Sequence, residues 1–318
     1  MTELTPAAVL AVEQLGVRAG ERVAVLHNAA QRAIAAALAD ATRDAGAEVQ
    51  VVEFATLERH GAEPPLEVAE AILRADACFA ATDTSLSHTR ARIAGTQRGG
   101  RFASLPTVTD DIFRRTIPID YALMKRRGAA IADLITRADT VRITSPQGTD
   151  VTLVVRGRDG RNDDGDLREA GAFGNLPAGE AYVSPVEVEG DGVIVFDGSI
   201  AGYGLLKEPV EVVMAGGRLV SASGEAGAWL ERMLDSGGDG GRRVAELGIG
   251  TNPAATLCGV VLEDEKLIGT AHIAFGSSAG IGGVVQSSVH IDSIMLEPTV
   301  EIAGETVVSG GRLVFDPT

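Results

Sequence analysis

The chain has 318 residues, of which 45% are hydrophobic and 23% charged, so it is long enough for one large domain or two ordinary ones with an apolar core. Aromatic residues make up only 4% and glycine contributes 39 residues, which predicts an aliphatic core with many tight turns and excludes a disordered chain or a fibre. The net charge of −16, with no offsetting basic block, argues against nucleic-acid binding as the main function.

The first part of the chain alternates between short apolar runs and longer helical ones. Helices are predicted over the N-terminal segment, over 29–46, over 66–75 and from about His88. Strands are predicted over RVAVLH (22–27), EVQVVEF (48–54), ACFAATD (77–83) and RFASLP (101–106). Strands alternating with helices predict parallel pairing with right-handed crossovers. We therefore expect an open, flavodoxin-like α/β sheet in this half.

The pattern changes near Asp139, after a helical stretch over 121–137. Short runs separated by glycine-rich turns predict antiparallel strands, interrupted by one helix over about 225–235. These runs are TVRITSP, VTLVVRG, GVIVFDG, VEVVMAG and RLVSASG. The predicted organisation is an α/β domain over 1–138 and an α+β domain over 139–318, with largely antiparallel strands that carry a metal site.

The cysteine content and the N-terminal sequence limit the cellular compartments in which we expect the protein. Cys78 and Cys258 are the only cysteines, which excludes a disulfide framework or a cysteine zinc knuckle. The N-terminus is acidic rather than basic, and no run of about 18 apolar residues occurs. We expect a cytoplasmic protein without a membrane partner.

The candidate chemistry lies in the last quarter of the chain. In AELGIGTNP, strand alternation places Glu246 opposite Ala245 and Leu247; in GTAHIAFG it separates His272 from Ala271 and Ile273. In SVHIDSIML, His290 and Asp292 share one face because they are two residues apart. Taken singly, a solvent-facing carboxylate and a hydrogen-bonded core histidine are the more ordinary interpretations.

Together these residues favour a metal site. Two of the chain's five histidines fall beside Glu246 and Asp292 in one strand-rich region, and a cation is the natural partner of buried charges. Two imidazoles and one carboxylate form the ligand set of non-haem Fe(II), whereas further carboxylates suit Zn, Co or Mn, singly or as a pair. Both possibilities stay open at this point.

Two other segments resemble ligand-binding motifs but lack residues that those motifs require. Gly248-x-Gly250 follows a strand, but Pro253 stands where a dinucleotide fingerprint needs its last glycine or alanine. In DGRNDDGD (159–166), a calcium loop with Gly165 sixth would need ligands at Gly160 and Gly171. We expect a solvated acidic loop there.

Four C-terminal motifs, in order, resemble those of the M29 metallopeptidases, the aminopeptidase T family. They are NLPAGEAYVSPVE (175–187), AELGIGTNP (245–253), LEDEKLIGTAHIAFG (262–276) and SVHIDSIMLEPTVEIAG (288–304). SLSHTRAR (85–92) and the GERVAVL opening are similar to that family's N-terminal half. The resemblance implies five ligands of one or two divalent ions, commonly cobalt or zinc: Glu180, Glu246, His272, His290 and Asp292. It also implies a homodimer and metal-activated water that attacks a small amide or peptide-like substrate.

One departure from that family concerns a tyrosine. Its aminopeptidases have a catalytic tyrosine shortly after the GTAHIA histidine, but here the stretch reads FGSSAGIGG. By sequence, the nearest tyrosines are Tyr182 and Tyr203, neither at the matching place. Hydrolysis of another amide or a lactam is therefore favoured over ordinary peptide hydrolysis.

The chain is also similar to 2,5-dihydroxypyridine 5,6-dioxygenases, in which two histidines and an aspartate hold one iron and an N-terminal histidine contacts the substrate. His88 in SLSHTR is the matching candidate. Retention of Glu180 and Glu246 favours the hydrolase, because carboxylates added to a triad suit a second ion. A third hypothesis is a binding protein that keeps the metal pocket without turnover.

Two further residues are candidates for acid–base work. The resemblance implies that His88 acts as acid, base or oxyanion partner; the alternative is an exposed residue at a helix start. Glu265, with Glu263 and Asp264 beside it, is a candidate for a base or for support of the site. For at least two of these three carboxylates, a solvated acidic turn is the alternative.

Overall fold

The computed structural model describes residues 2–315. The helices are α1 (Thr5–Gln14), α2 (Arg32–Asp44), α3 (Leu66–Arg74), α4 (Arg90–Gln97), α5 (Asp110–Thr116), α6 (Tyr121–Arg137), α7 (Gly224–Asp235) and α8 (Val261–Asp264), with 3-10 turns at Ala29–Gln31 and Gly238–Gly240. Within the described residues, none of these helices has the length and apolar character that a bilayer crossing requires.

The strands follow in chain order. They are β1 (Arg22–His27), β2 (Glu48–Glu53), β3 (Ala77–Thr82), β4 (Arg101–Pro106), β5 (Thr140–Thr144), β6 (Asp150–Val154), β7 (Arg161–Asp163), β8 (Phe173–Asn175), β9 (Glu180–Val183), β10 (Asp191–Phe196), β11 (Ser199–Ile200), β12 (Gly204–Leu205), β13 (Val210–Ala215), β14 (Arg218–Ala222), β15 (Val244–Gly250), β16 (Ala271–Gly276), β17 (His290–Met295), β18 (Thr299–Ile302), β19 (Glu305–Ser309) and β20 (Arg312–Leu313).

The chain divides into two compact units. The first runs to Ile119 and takes in Gly165–Ala178; the second comprises Asp120–Asp164 and the chain from Gly179 onward. Helix α6, which precedes the boundary predicted at Asp139, belongs to the second unit.

The first unit is the predicted open parallel sheet. Its strands lie in the order β2-β1-β3-β4-β8, and every neighbouring pair is parallel. Strand β3, ACFAAT, is buried at every position, as expected of a parallel strand covered on both faces. Small alanines let the helices approach it closely, so the low aromatic content is consistent with this layer.

The second unit is built on two largely antiparallel sheets, as predicted. One has the order β14-β13-β10-β6-β5-β18-β19-β20, and the other β12-β11-β17-β16-β15-β9-β7. One continuous core contains Val141, Leu153 and Ile194 from the first sheet together with Leu247 and Ile273 from the second.

The alternation expected for β15 and β16 is confirmed on the core side of the second sheet. Leu247 and Ile249 of β15, and Ile273 and Phe275 of β16, belong to the apolar core. Because successive side chains of a strand point to opposite faces, Glu246 and His272 lie on the other face. That face is also covered, since every residue of β15 and β16 is buried.

Candidate metal centre

Four adjacent strands bring the predicted ligands onto one face of the second sheet. Glu180 of β9 pairs with Gly250 of β15, and Gly248 of β15 pairs with His272 of β16. Ala274 separates Glu246 from Asp292 in the neighbouring row. Apart from His290 and Asp292, these residues are far apart in sequence, but this register places their side chains side by side.

Three overlapping groups of these side chains can each hold an ion. In each group the potential ligand atoms lie within 4.8 Å of one another. Glu180, Glu246 and His272 form the first group, and Glu246, His290 and Asp292 form the second. A third group joins Glu265 to His272 and Asp292. Glu246 is therefore shared by the first two groups.

Glu246 lies between the two histidines. Its Oε1 is 3.9 Å from His272 Nε2, and its Oε2 is 3.2 Å from His290 Nε2. His290 Nε2 is also 3.4 Å from Asp292 Oδ1. Each carboxylate oxygen of Glu246 thus faces a different imidazole. Only 7% of Glu246 is exposed, so the solvent-facing interpretation of this residue is wrong.

The donor set fits a cation at the first group. His272 is fully buried, and neither of its ring nitrogens has a hydrogen-bond partner among the described residues. Its Nε2 lies 3.2 Å from Glu180 Oε2, which is buried and also without a hydrogen bond. Buried polar atoms are otherwise nearly always satisfied. An imidazole nitrogen and a carboxylate oxygen facing each other in this way suit a shared divalent ion.

Gly248 makes room for the imidazole of His272. A Cβ at Gly248 would lie 3.0 Å from Nδ1 and closer still to Cε1 and Nε2 of that ring. The ring therefore leans across the position that a side chain at residue 248 would occupy. This explains why the AELGIG motif needs glycine two residues after its glutamate.

The predicted ligands, together with the charged side chains that contact them, form a buried cluster. Lys266 belongs to this cluster and was not predicted from the sequence. Its side chain is fully buried, and its Nζ contacts Glu180 Oε1, lies 2.9 Å from Glu265 Oε1 and 3.3 Å from Asp163 Oδ2. One ammonium group thus faces three carboxylates. The only available signal was its place in LEDEKLIGTAHIAFG, beside the glutamates already considered.

The position of Asp163 shows that the interpretation of DGRNDDGD as a solvated loop is wrong. Asp163 ends strand β7 and pairs with Glu180 of β9, and its side chain is only 14% exposed. Burial raises its pKa to about 7 despite the charge of Lys266. A three-residue strand lacks the length that makes hydrophobic periodicity detectable.

The electrostatics of the cluster favour positive charge. Burial alone would lower the pKa of His272 and His290, but the surrounding carboxylates outweigh it and raise both pKa values well above the ordinary value. Burial also opposes ionisation of Glu180, yet the charge of Lys266 lowers its pKa to about 2. At Glu265 burial prevails and raises the pKa to about 8.

Glu263 and Asp264 are not a solvated turn, because both are fully buried. Glu263 accepts a hydrogen bond from the amide of Thr256 at 2.6 Å, and Asp264 accepts one from the amide of Cys258 at 2.7 Å. Asp264 also accepts from the hydroxyl of Ser199 at 2.6 Å. They therefore anchor the short helix α8, directly after which Glu265 and Lys266 reach the cluster.

His88 and the two tyrosines considered from the sequence occupy three different environments. His88 belongs to the first unit, where it is exposed and directly precedes Thr89, the N-cap of α4. Tyr203 packs against Trp229, with ring centroids 5.4 Å apart. Tyr182, two residues after Glu180 in β9, lies on the same face of its strand and pairs with Gly248. Of the two tyrosines considered from sequence, Tyr182 is thus the one on the ligand face.

Comparisons with known proteins identify a family and several solved structures with the same fold. A family model for 2,5-dihydroxypyridine 5,6-dioxygenase, NicX, matches residues 3–315. The structure of 2,5-dihydroxypyridine dioxygenase from Pseudomonas putida KT2440 has a TM-score of 0.83 at 18% identity, over 100% of this chain and 99% of that chain. Wild-type AmpT from Thermus thermophilus has a TM-score of 0.74 at 18% identity, over 98% and 99%. A comparison with curated protein sequences found no match.

Proposed function

The chain belongs to the family of 2,5-dihydroxypyridine 5,6-dioxygenases, and from its metal centre we propose that it hydrolyses a small amide or peptide-like substrate with two divalent ions. The observation that carries this proposal is the position of Glu246, whose two oxygens face two different histidines. A carboxylate that bridges two ions is the usual core of a two-metal hydrolytic site.

The arrangement of the histidines favours two ions over one. A mononuclear Fe(II) triad needs two histidines and one carboxylate around a single ion. Among the described residues, each group that can hold an ion contains one histidine. Glu180 and His272 would hold one ion, His290 and Asp292 would hold the other, and Glu246 would contact both.

Two residues beside the ions would have separate roles, one in proton transfer and one in holding a ligand. Bound divalent ions supply Lewis acidity, which acidifies water and polarises a carbonyl group. Glu265 lies against the cluster, in one group with His272 and Asp292, and we assign it the proton taken from the attacking water. Lys266 holds Glu180 by one oxygen, so that the other oxygen stays available to an ion.

The ring-opening dioxygenase is the second candidate, because the family match favours it. In this alternative His272, His290 and Asp292 would hold a single Fe(II), and the reaction would consume O₂. The absence of a tyrosine from FGSSAGIGG is compatible with it. Glu180 and Glu246 would then have no role as ligands, although both are buried at the centre of the cluster.

Metal analysis combined with activity separates the candidates. The protein is purified once aerobically with Zn²⁺ and once anaerobically with Fe²⁺, and each preparation is assayed on dipeptides, aminoacyl anilides, lactams and 2,5-dihydroxypyridine. We expect two Zn²⁺ per chain and hydrolysis of an amide. One Fe²⁺ per chain with O₂ uptake would replace this proposal by the dioxygenase, and two bound ions without any turnover would leave a binding protein.

Substitutions of single ligands test whether Glu246 contacts both ions. Because Glu246 is shared, Glu246→Gln is expected to weaken both ions, whereas Glu180→Gln is expected to weaken one, since Glu180 belongs to a single group. Glu301→Gln, at an exposed position of β18 in the other sheet, is the control and keeps both. Equal effects of the first two variants would contradict the shared role of Glu246.

A further inference from the structure

The loop over 277–289 joins the two strands that carry His272 and His290. It contains most of the FGSSAGIGG stretch and has no helix or strand of its own. Glycine-rich loops of this kind are normally the most mobile parts of a protein. Here, however, the side chain of Ser278 is fully buried, and a set of polar contacts holds the loop.

A buried carboxylate makes those contacts. Glu187, which follows β9 and is 3% exposed, accepts hydrogen bonds from the Ser278 hydroxyl at 2.5 Å and from the amide of Val284 at 2.7 Å, both on Oε1. Its Oε2 accepts from the guanidinium of Arg158 at 2.5 Å. Arg158 also donates to the carbonyl of Gly282 at 2.9 Å. The ion pair therefore holds both ends of the Ser278–Val284 turn.

The turn is shaped around this carboxylate. Any Cβ at Gly283 would collide with Ser278 Oγ, Glu187 Oε1 and Ser184 Oγ. Glycine at residue 283 lets the backbone close over the carboxylate, and the Ser278 hydroxyl in turn accepts from the amide of Val285 at 3.1 Å. Glu187 is thus the centre of the turn rather than a side chain that happens to touch it.

The same loop sets the orientation of His290. The carbonyl of Ser277, the residue before Ser278, accepts a hydrogen bond from His290 Nδ1 at 2.7 Å. A carbonyl can only accept, so Nδ1 carries the hydrogen and the neutral ring has its lone pair on Nε2. Nε2 is the atom that faces Glu246 and Asp292, at 3.2 and 3.4 Å.

We propose that Glu187 is a positioning residue of the metal centre: by holding Ser278 and Val284, it places the Ser277 carbonyl that orients His290 toward Glu246 and Asp292. The inference rests on the proposed function in so far as His290 holds an ion. Partners that orient a ligating histidine typically change metal affinity by about 10–100-fold when they are removed. Glu187 acts one step further out, through the backbone of the loop.

The test uses the metal-free full chain titrated with Zn²⁺ by calorimetry. Glu187→Gln removes the charge that binds Arg158, and Ser278→Ala removes one donor while the Glu187–Arg158 pair remains. The control is Glu189→Gln, because Glu189 lies two residues further on and also pairs with an arginine, Arg156, at 2.5 Å, but in an exposed position. We expect one of two Zn²⁺ ions to bind about 10–100-fold more weakly in both test variants, and wild-type binding in the control.

A second readout does not depend on metal. In ¹⁵N NMR spectra of the metal-free chain, the hydrogen on His290 Nδ1 should exchange faster in both test variants than in the control. Zn²⁺ affinities and exchange equal to the control would overturn the positioning role, and so would equal weakening of both ions. A wild type that binds no Zn²⁺ refutes the proposed function instead, and the exchange measurement still decides the role of Glu187. If Glu187→Gln does not fold, Ser278→Ala decides.

Discussion

Replacing Gly248 by alanine tests the centre through sterics, with every predicted ligand still present. The new Cβ would fall on the imidazole of His272, 3.0 Å from Nδ1 and closer to the two other ring atoms that it meets. Contacts between a Cβ and a neighbouring heavy atom are ordinary only from 3.4 to 4 Å. The alanine and the present ring position are therefore incompatible.

The size of the effect follows from how far the ring must move. Restoring an ordinary contact requires a shift of about 1 Å, and a misplacement of that size costs about 10²-fold at a reactive centre. His272 is fully buried in a packed sheet, so overpacking should also lower the free energy of unfolding by about 1–3 kcal/mol. We expect loss of the ion held by Glu180 and His272 and retention of the ion at His290 and Asp292.

The assay is Zn²⁺ stoichiometry and affinity of the purified variant, with urea unfolding in parallel. Gly204→Ala is the matched control: at a φ of +97° the alanine is strained, but no atom lies within 4 Å of the new Cβ. It reproduces a loss of stability without touching a ligand. A Gly248→Ala protein with two ions at wild-type affinity would refute the placement of His272 as a ligand.

Four further outcomes are expected. Removing metal with a chelator should lower Tm in calorimetry, since an ion present at 1,000 times its Kd adds about 4 kcal/mol of stability. Lys266→Met leaves its buried carboxylates unpaired and should lower the free energy of unfolding of the metal-free chain by about 3–5 kcal/mol, with a smaller loss when Zn²⁺ is present; an equal loss would contradict this. Glu265→Gln should keep both ions while kcat falls by about 10²–10⁴-fold, and unchanged turnover would remove its role as base. If His88 acts on the substrate as the resemblance implies, His88→Ala should reduce turnover with metal content unchanged, and unchanged turnover would remove it from the candidate residues.

Alternation along strands is what made the ligand face predictable. In β16, His272 and Ala274 alternate with Ile273 and Phe275. In β17, His290 and Asp292 lie on either side of Ile291, so a period of two in the sequence separates the core face from the ligand face. Most of the parallel sheet of the first unit was predictable because its central strands β1, β3 and β4 are largely apolar runs between helices. The three-residue edge strand β8 has no such signal.

Lys266 and Asp163 could not be predicted, for a physical reason. Each owes its burial to a partner distant in sequence, 86 residues away for Lys266 and Glu180, and neither lies in an apolar run that marks it as interior. A charged residue in a polar segment is ordinarily solvated. Only the pairing of β7 with β9 places the acidic segment against the ligand strands.

The buried charges of this unit are best explained by their joint relation to a cation. In the described part of the chain, five carboxylates converge around one ammonium group and two imidazoles, and buried carboxylates are costly unless positive charge faces them. They are Asp163, Glu180, Glu246, Glu265 and Asp292. Apolar residues would stabilise the sheet at lower cost, yet Lys266 holds Glu180 and Glu265, and the carbonyl of Ser277 accepts a hydrogen bond from His290. A set of charges that opposes folding unless positive ions bind, and whose orientations are individually maintained, is what a metal centre requires. Under the proposed function, the stability of this face and the activity depend on the same ions.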